Sequence, residues 1–134
     1  MTTIRMFDYL AELAEIHDDV LGAVDRTLRS GILILGPEVE RFEGLMAESL
    51  GGGHAVGVAS GTDALIVAML ARGIGPGDEV ITVANTAVAT ANAIQRVGAT
   101  PVFCDVDPCT ALLDLSKLDA LINDATRAVI PVHL

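Results

Sequence analysis

The sequence predicts an α/β protein with a mostly parallel sheet and flanking helices, and two observations support that prediction. The composition is 51% hydrophobic but only 3% aromatic, which suits strands that are buried on both faces and read as nearly continuous apolar runs. From residue 55 onward, short apolar strands alternate with helical stretches, and this alternation is typical of parallel strands joined by right-handed crossovers. At 134 residues, the chain forms one domain at most.

The N-terminal part is predicted to be helical. Residues 9 to about 29 have apolar side chains at helical spacing, and Gly31 is placed to cap that helix. An apolar, extended stretch follows at 32–35. A second helix then runs from Pro37 to Leu50, with proline near its first position and a run of glycines after its end.

The rest of the chain is predicted as an alternating series of strands and helices. Turn-forming residues separate these elements, above all the glycine-rich cluster at 73–78 and Gly98. The predicted elements are strand 55–59, helix 62–72, strand 79–83, helix 86–97, strand 100–106, a short helix that begins at Ser116 and ends near residue 122, and strand 127–133.

The turn between the first of these strands and the first of these helices is a candidate anion site. Ser60 and Gly61 lead into the helix that starts near Thr62. A helix N-terminus presents unpaired backbone N–H groups and the positive end of the helix dipole, and phosphate is the usual occupant of such a site. Gly61 allows a ligand to approach closely, and the hydroxyls of Ser60 and Thr62 add donors. The sequence therefore predicts a phosphate-binding turn here.

Charge and hydropathy narrow the class of protein. The formal net charge of −10 argues against a nucleic-acid partner and against an anionic membrane surface. No apolar stretch approaches the roughly 20 residues that span a bilayer, and the N-terminus lacks the apolar core of a signal peptide. Two cysteines do not make a disulfide framework. We therefore expect a soluble protein of the cytoplasm.

Several residue types that often serve in metal sites are interpreted as structural here. Asp105 and Asp107 form a D-x-D pattern, but turn formation before Pro108 explains them better than a metal ion does. Cys104 and Cys109 lack the spacing of zinc ligands and have no clustered histidines beside them. We therefore expect no metal site.

The histidines are interpreted separately. His17 lies on the charged face of the first helix and His54 lies in a loop after glycines, so both are expected to be solvated. His133 ends a strand near the carboxyl edge of the sheet, where the sites of α/β proteins gather. It either faces a ligand pocket or is an ordinary residue at the end of a strand.

Several blocks of the chain carry a resemblance to a known family. The blocks are residues 30–31, 33–43, 60–65, 73–81, 85–90, 98–103, 105–107 and 128–134. Taken in order, they resemble the N-terminal part of the DegT/DnrJ/EryC1/StrS family, which are nucleotide-sugar aminotransferases of type I fold that depend on pyridoxal 5'-phosphate (PLP). The resemblance covers nearly the whole chain and implies part of the large domain of a PLP-dependent type I transferase.

The resemblance implies where the cofactor phosphate binds. Ser60, Gly61, Thr62 and Asp63 match the family's phosphate cradle, with the backbone amides of Thr62 and Asp63 as the main donors. We expect the carboxylate of Asp63 to point away from the phosphate, because both groups are negative.

The resemblance also implies where the pyridine ring lies and how the chain is organised. Thr86 and Ala87 match the place where the family lays a side chain, often an aromatic one, over the ring. Alanine cannot stack in that way. Residues 1–53 then form an N-terminal helical segment, and residues 54–134 form the first βα units of the PLP-binding large domain, which is incomplete.

The family's chemistry further needs a lysine that forms a Schiff base and a carboxylate that pairs with the pyridinium nitrogen. The resemblance implies that both lie beyond the strand at 127–134, so this chain alone is expected to be an inactive fragment without covalently attached cofactor. The only lysine, Lys117, lies at the start of a short amphipathic helix and matches no catalytic lysine of the family. In full-length members the implied partners are a nucleotide-linked keto-sugar, an amino donor such as glutamate, and a second subunit or complementary chain.

Three interpretations stay open. The first is an incomplete, split or truncated aminotransferase of amino- and deoxysugar biosynthesis, with the family's dehydratase branch also possible. The second is a non-catalytic module that binds phosphate, cofactor or a partner. The third is a self-sufficient nucleotide-binding domain, which is disfavoured because a parallel sheet ending at its fourth predicted strand leaves an edge and apolar faces uncovered.

Overall fold

The structure is a computed structural model that describes residues 7–133. The chain comprises two compact units, Met1–Gly57 and Val58–Leu134. Among residues 7–133, no helix combines the length and the apolar character that a membrane span requires.

The first unit contains two helices, as the sequence predicts. Helix α1 spans Tyr9–Ser30, and Gly31 closes it in the left-handed conformation (φ 69°) with its amide donating to the Leu28 carbonyl. Helix α2 spans Pro37–Ser49 and has proline in its first turn, where the missing N–H is not needed.

Two stretches predicted to be extended do not form strands. At residues 32–35 the chain bends, and Leu35 adopts a left-handed conformation with φ of 50°. Residues 55–59 also form no strand. A strand exists only through hydrogen bonds to a neighbour, and within residues 7–133 no strand pairs with 55–59. The Gly57 amide donates instead to the Glu43 carboxylate at 2.6 Å.

The second unit is built on a three-stranded sheet. Strand β1 spans Glu79–Val83, β2 spans Thr100–Cys104 and β3 spans Thr126–Val129. The spatial order is β2-β1-β3, and both strand pairs are parallel. The predicted α/β fold with a parallel sheet is confirmed. Strands β2 and β3 are shorter than predicted because their last predicted residues lie outside the ladder.

Helices flank this sheet. Helix α3 spans Gly61–Ala71, α4 spans Val88–Arg96 and α5 spans Leu115–Leu118, with a 3-10 turn continuing over Asp119–Leu121. Helix α4 begins two residues later than the prediction from residue 86.

Helices α4 and α5 begin at different kinds of cap. The Thr86 hydroxyl lies 2.8 Å from the Thr90 hydroxyl and caps no backbone amide in the described residues, so Ala87 takes the N-cap position of α4. At α5 the carboxylate of Asp114, rather than Ser116, accepts the first-turn amide. Aspartate there satisfies the same orphan donors that a serine cap would.

The core of the second unit surrounds the central strand. Val80, Ile81, Thr82 and Val83 are each at most 1% exposed, so β1 is buried on both faces, as expected for a parallel strand between layers. The one polar side chain among them, Thr82, donates its hydroxyl to the Ile130 carbonyl at 3.0 Å.

Candidate functional site

The turn at the start of α3 has the geometry of a capped helix N-terminus. Ser60 is the N-cap in extended conformation. Its hydroxyl oxygen accepts a hydrogen bond from the Asp63 amide at 3.2 Å, and the hydroxyl donates to the Asp63 carboxylate at 3.0 Å. The Ser60 carbonyl accepts from the Ala64 amide at 3.0 Å. This arrangement resembles a capping box, in which the N-cap residue and the third helical residue form reciprocal hydrogen bonds.

Two backbone donors of this turn are left over. The amides of Gly61 and Thr62 belong to the first helical turn, where no intrahelical acceptor exists, and no hydrogen bond within residues 7–133 engages them. Apart from its chain neighbours and the backbone of its own helix, no atom lies within 4 Å of the position that a Gly61 Cβ would take, so no other segment crowds that side of the turn. Amides at a helix N-terminus with open space above them suit a phosphate group.

Asp63 adds a negative charge at the same place. Because its carboxylate is held by the Ser60 hydroxyl, a phosphate on the turn has to share or displace that hydroxyl. The sequence leads us to expect that the Asp63 carboxylate points away from a bound phosphate, and this stays a prediction.

Thr86 and Ala87 follow β1 at the carboxyl end of the central strand, the side of a parallel sheet where ligands bind. Thr86 is half-buried through its contact with Thr90, and Ala87 is exposed. Helix α3 leads into the amino end of β1 and α4 leaves its carboxyl end. The first turns of α3 and α4 therefore both lie on the side of the sheet where the strands have their carboxyl ends.

A hydrogen bond that the sequence does not suggest connects the loop after β2 to the segment that follows β1. The Asn85 amide group donates to the Ala111 carbonyl at 3.1 Å, and Ala111 is left-handed with φ of 57°. The same loop is organised by Asp107, whose carboxylate accepts from the amides of Cys109 and Thr110, both at 2.9 Å. Turn formation by Asp107 is thus confirmed, and these bonds hold its pKa below the usual range.

Lys117 has a carboxylate partner. Its Nζ lies 2.8 Å from Asp105 Oδ2 and 3.9 Å from Asp114 Oδ2. The hydrogen bond to Asp105 raises the pKa of Lys117 and lowers that of Asp105. A lysine held as an exposed ammonium is a poor nucleophile, since Schiff-base lysines need a lowered pKa. The sequence pattern does not predict this ion pair, because Asp105 follows a strand and Lys117 lies in a helix twelve residues further along the chain.

The remaining candidates are the two cysteines and the three histidines. Cys104 is buried, and burial raises the pKa of its thiol, whereas Cys109 is exposed. His17 lies 3.1 Å from Asp18 on α1. His54 and His133 are exposed. Within residues 7–133, no three metal-ligating side chains cluster.

The fold and this turn define an α/β domain with a serine-capped helix N-terminus beside a parallel sheet. A sequence model of the DegT/DnrJ/EryC1/StrS aminotransferase family matches residues 14–134. The chain belongs to that family.

Two sequence relatives show how much of a family member the chain represents. It is 44% identical over 131 residues to UDP-2-acetamido-2-deoxy-3-oxo-D-glucuronate aminotransferase of Pseudomonas aeruginosa, which covers 98% of this chain and 36% of that protein. It is 52% identical over 118 residues to the spore coat polysaccharide biosynthesis protein SpsC of Bacillus subtilis, which covers 88% of this chain and 30% of SpsC. The chain therefore spans about a third of the length of these relatives.

Solved structures agree with the fold. The chain superposes on S. venezuelae DesV, solved in complex with a ketimine intermediate, with a TM-score of 0.93 and 40% identity over 100% of this chain and 36% of DesV. It superposes on NtdA of Bacillus subtilis, solved with bound cofactor PMP, with a TM-score of 0.85 and 36% identity over 90% of this chain and 28% of NtdA. The implied fold, part of a PLP-dependent transferase domain, is confirmed.

Proposed function

We propose that this chain holds the phosphate of PLP, or of its amine form pyridoxamine 5'-phosphate (PMP), at the start of α3. The enzyme to which it contributes is an aminotransferase that uses an amino donor such as glutamate and a nucleotide-linked keto-sugar. Family membership supports this reading. So do relatives named as transaminases of UDP- and dTDP-linked sugars.

One observation carries the proposal: the amides of Gly61 and Thr62 are unengaged at an open helix N-terminus. Each amide that donates to a phosphate oxygen makes a charge-assisted hydrogen bond, and the helix dipole adds to the attraction. The Ser60 hydroxyl donates to Asp63, and by rotating about its own bond it would donate to a phosphate oxygen instead.

In this proposal the pyridine ring of the cofactor lies beside Thr86 and Ala87, at the carboxyl end of β1. The exposed methyl group of Ala87 offers a small apolar contact in place of an aromatic one. The bound cofactor supplies the electron sink for transamination. In this chain the residues bind and orient it, and Lys117 takes no part because Asp105 engages its ammonium group.

The Lys117–Asp105 pair also supports a second function, a non-catalytic module that binds the cofactor phosphate or a partner. In both cases we place the chain in the cytoplasm, where nucleotide sugars are made, and we infer that a second subunit or a complementary chain completes the site. The division into an N-terminal helical segment, 1–53, and βα units from residue 54 is part of the same proposal.

The test compares PMP with pyridoxamine, which lacks the phosphate. PMP is chosen because its amine forms no imine with lysine. By equilibrium dialysis, with both compounds followed by their ultraviolet absorbance, we expect the chain to bind PMP and not pyridoxamine. Gly61→Pro removes one amide donor, and proline suits the first helical position after the extended Ser60. Since such a bond is worth about 1.5–3 kcal/mol, we expect PMP binding to weaken about tenfold or more.

The matched control is Leu115→Pro, at the first position of α5. It introduces the same residue into another helix start of the same unit and is expected to leave PMP binding unchanged. Equal binding of PMP and pyridoxamine, or equal losses in the two variants, would refute a phosphate site at the Ser60–Thr62 turn.

A further inference from the structure

Residues 105–114, which follow β2, fold into a closed hairpin. The Asp114 amide donates to the Asp105 carbonyl at 3.0 Å, and the Asp107 amide donates to the Leu112 carbonyl at 2.9 Å. Lys117 adds its ion pair with Asp105, from Nζ to Oδ2, at 2.8 Å. Because backbone hydrogen bonds join the two arms at two levels, the hairpin is a fixed support rather than a loose connection.

Ala111, at the tip of the hairpin, is held in an uncommon backbone conformation. Its φ is 57°, and a residue with a Cβ keeps this left-handed conformation only where neighbouring contacts maintain it. The Ala111 amide donates to the Asp107 carbonyl at 2.8 Å. The Asp107 carboxylate accepts from the amides of Cys109 and Thr110. These bonds fix the tip and the direction of the Ala111 carbonyl.

Asn85 donates a hydrogen bond to that carbonyl. Its Nδ2 lies 3.1 Å from the Ala111 oxygen, across 26 positions of the chain. A carbonyl only accepts, so an ionised aspartate or a leucine of similar size could not replace the asparagine. On the other side, the Thr86 hydroxyl lies 2.8 Å from that of the buried Thr90. The segment 85–87 is therefore held by the hairpin at one end and by α4 at the other.

We propose that Asn85 is a positioning residue for the pyridine ring of the cofactor, because it fixes the backbone that carries Ala87. This rests on the proposed function, in which the ring lies beside Thr86 and Ala87. A longer side chain adjusts its contact with a ring by rotating about its χ angles, whereas alanine has none to rotate. Contact between Ala87 and the ring is therefore set by the backbone, and a gap of about 0.5–1 Å already forfeits about a quarter to a half of the attraction.

A general contribution to stability is the other role open to Asn85. Such a role would weaken the binding of every ligand alike, whereas a positioning role affects the ring more than the phosphate. The turn at the start of α3 has its own local hydrogen bonds between Ser60 and Asp63, and Asn85 takes no part in them. Inorganic phosphate, which carries no ring, therefore separates the two roles.

The test compares the dissociation constants of PMP and inorganic phosphate for the full chain, with both ligands followed by ¹⁵N NMR at the Gly61 and Thr62 amides. Asn85→Leu keeps the approximate size of the side chain and removes its donor. We expect PMP binding to weaken at least about threefold and phosphate binding to change by less than about twofold. Without ligand, the heteronuclear NOE at the Ala87 amide should decrease, because the segment gains motion.

The matched control is Asn123→Leu. Asn123 also donates to a distant partner, Glu79 Oε2 at 2.8 Å, but at the amino end of β1. The control is expected to change PMP affinity by less than about twofold and to leave the Ala87 NOE unchanged. Circular dichroism checks that both variants are folded.

Three results would overturn the positioning role alone. They are a PMP affinity that Asn85→Leu leaves unchanged, an equal loss of PMP and phosphate binding in that variant, and an Ala87 NOE that does not respond to it. If the unmodified chain bound neither PMP nor phosphate, the proposed function would fail and the positioning role with it. Binding to the unmodified chain therefore tells the two failures apart.

Discussion

The hydroxyl of Ser60 donates to the carboxylate of Asp63 at 3.0 Å, while its oxygen accepts from the Asp63 amide at 3.2 Å. Ser60, the N-cap residue, and Asp63, the third helical residue, are therefore hydrogen-bonded to each other twice. The amides of Gly61 and Thr62, which lie between them, are left to face outward. The turn is stabilised by its own side chains and still offers donors to an anion.

Ser60→Ala tests the stabilising role of this cap. The substitution removes both bonds to Asp63, and loss of a serine N-cap costs about 1 kcal/mol of unfolding free energy. We expect that decrease in urea unfolding followed by circular dichroism. Ser49→Ala is the control, because the Ser49 hydroxyl caps no helix N-terminus and bonds only to Met46 within α2, and a change below about 0.5 kcal/mol is expected. Equal losses in both variants would contradict a specific capping role for Ser60.

Lys117 is expected to form no productive imine with PLP. Its hydrogen bond to Asp105 keeps the amine protonated, and only the neutral amine attacks an aldehyde. After incubation with equimolar PLP and borohydride reduction, mass spectrometry should find little adduct at Lys117. Asp105→Asn removes the partner's charge and should increase labelling at that site. Heavy labelling of the unmodified chain at Lys117, with no increase in the variant, would disprove this assignment.

Acid should destabilise the second unit through Asp107. Hydrogen bonds from Thr110 and Cys109 lower the pKa of this carboxyl in the folded chain. A lowered folded-state pKa gives stability that is present above the unfolded value of about 3.9 and is lost as pH falls through the folded value. The urea midpoint should therefore decrease as pH drops from about 5 to about 3.

Asp107→Asn is the matched variant for that experiment. Asparagine keeps an oxygen acceptor for the two amides but does not titrate, so its midpoint should depend less on pH over the same range. Asp105 contributes in the same direction through Lys117, which leaves a residual slope. Identical slopes for the chain and the variant would show that Asp107 has no part in acid destabilisation.

The two cysteines should react at different rates. Cys109 is exposed in the loop after β2, whereas Cys104 is 2% exposed and burial raises the pKa of its thiol. A thiol reagent near pH 8 should modify Cys109 rapidly and Cys104 only on unfolding, because the thiolate is the reactive form. Cys109→Ser should abolish the rapid phase. A rapid phase that survives this substitution would show that Cys104 is accessible.

Much of the fold could be predicted because the signals are local. Helices α1 and α2 follow from apolar spacing together with Gly31 and Pro37, and strand β1 was predicted with the bounds observed. The turn at the start of α3 was recognisable for the same reason, since a cap and the first helical turn occupy adjacent residues. Its role with the cofactor stays a prediction.

Features that need a distant partner were missed or wrongly predicted. Residues 55–59 have the composition of a strand but no strand beside them in the described part of the chain, and composition supplies no hydrogen-bonding neighbour. The Asn85–Ala111 and Lys117–Asp105 contacts join residues 26 and 12 positions apart. Local sequence was therefore sufficient for helices α1 and α2, strand β1 and the turn at the start of α3. Pairing across the sheet, the state of the one lysine and the hydrogen bond of Asn85 arise only when folding brings separate segments together, because ladders, hydrogen bonds and ion pairs depend on distance in space rather than along the chain.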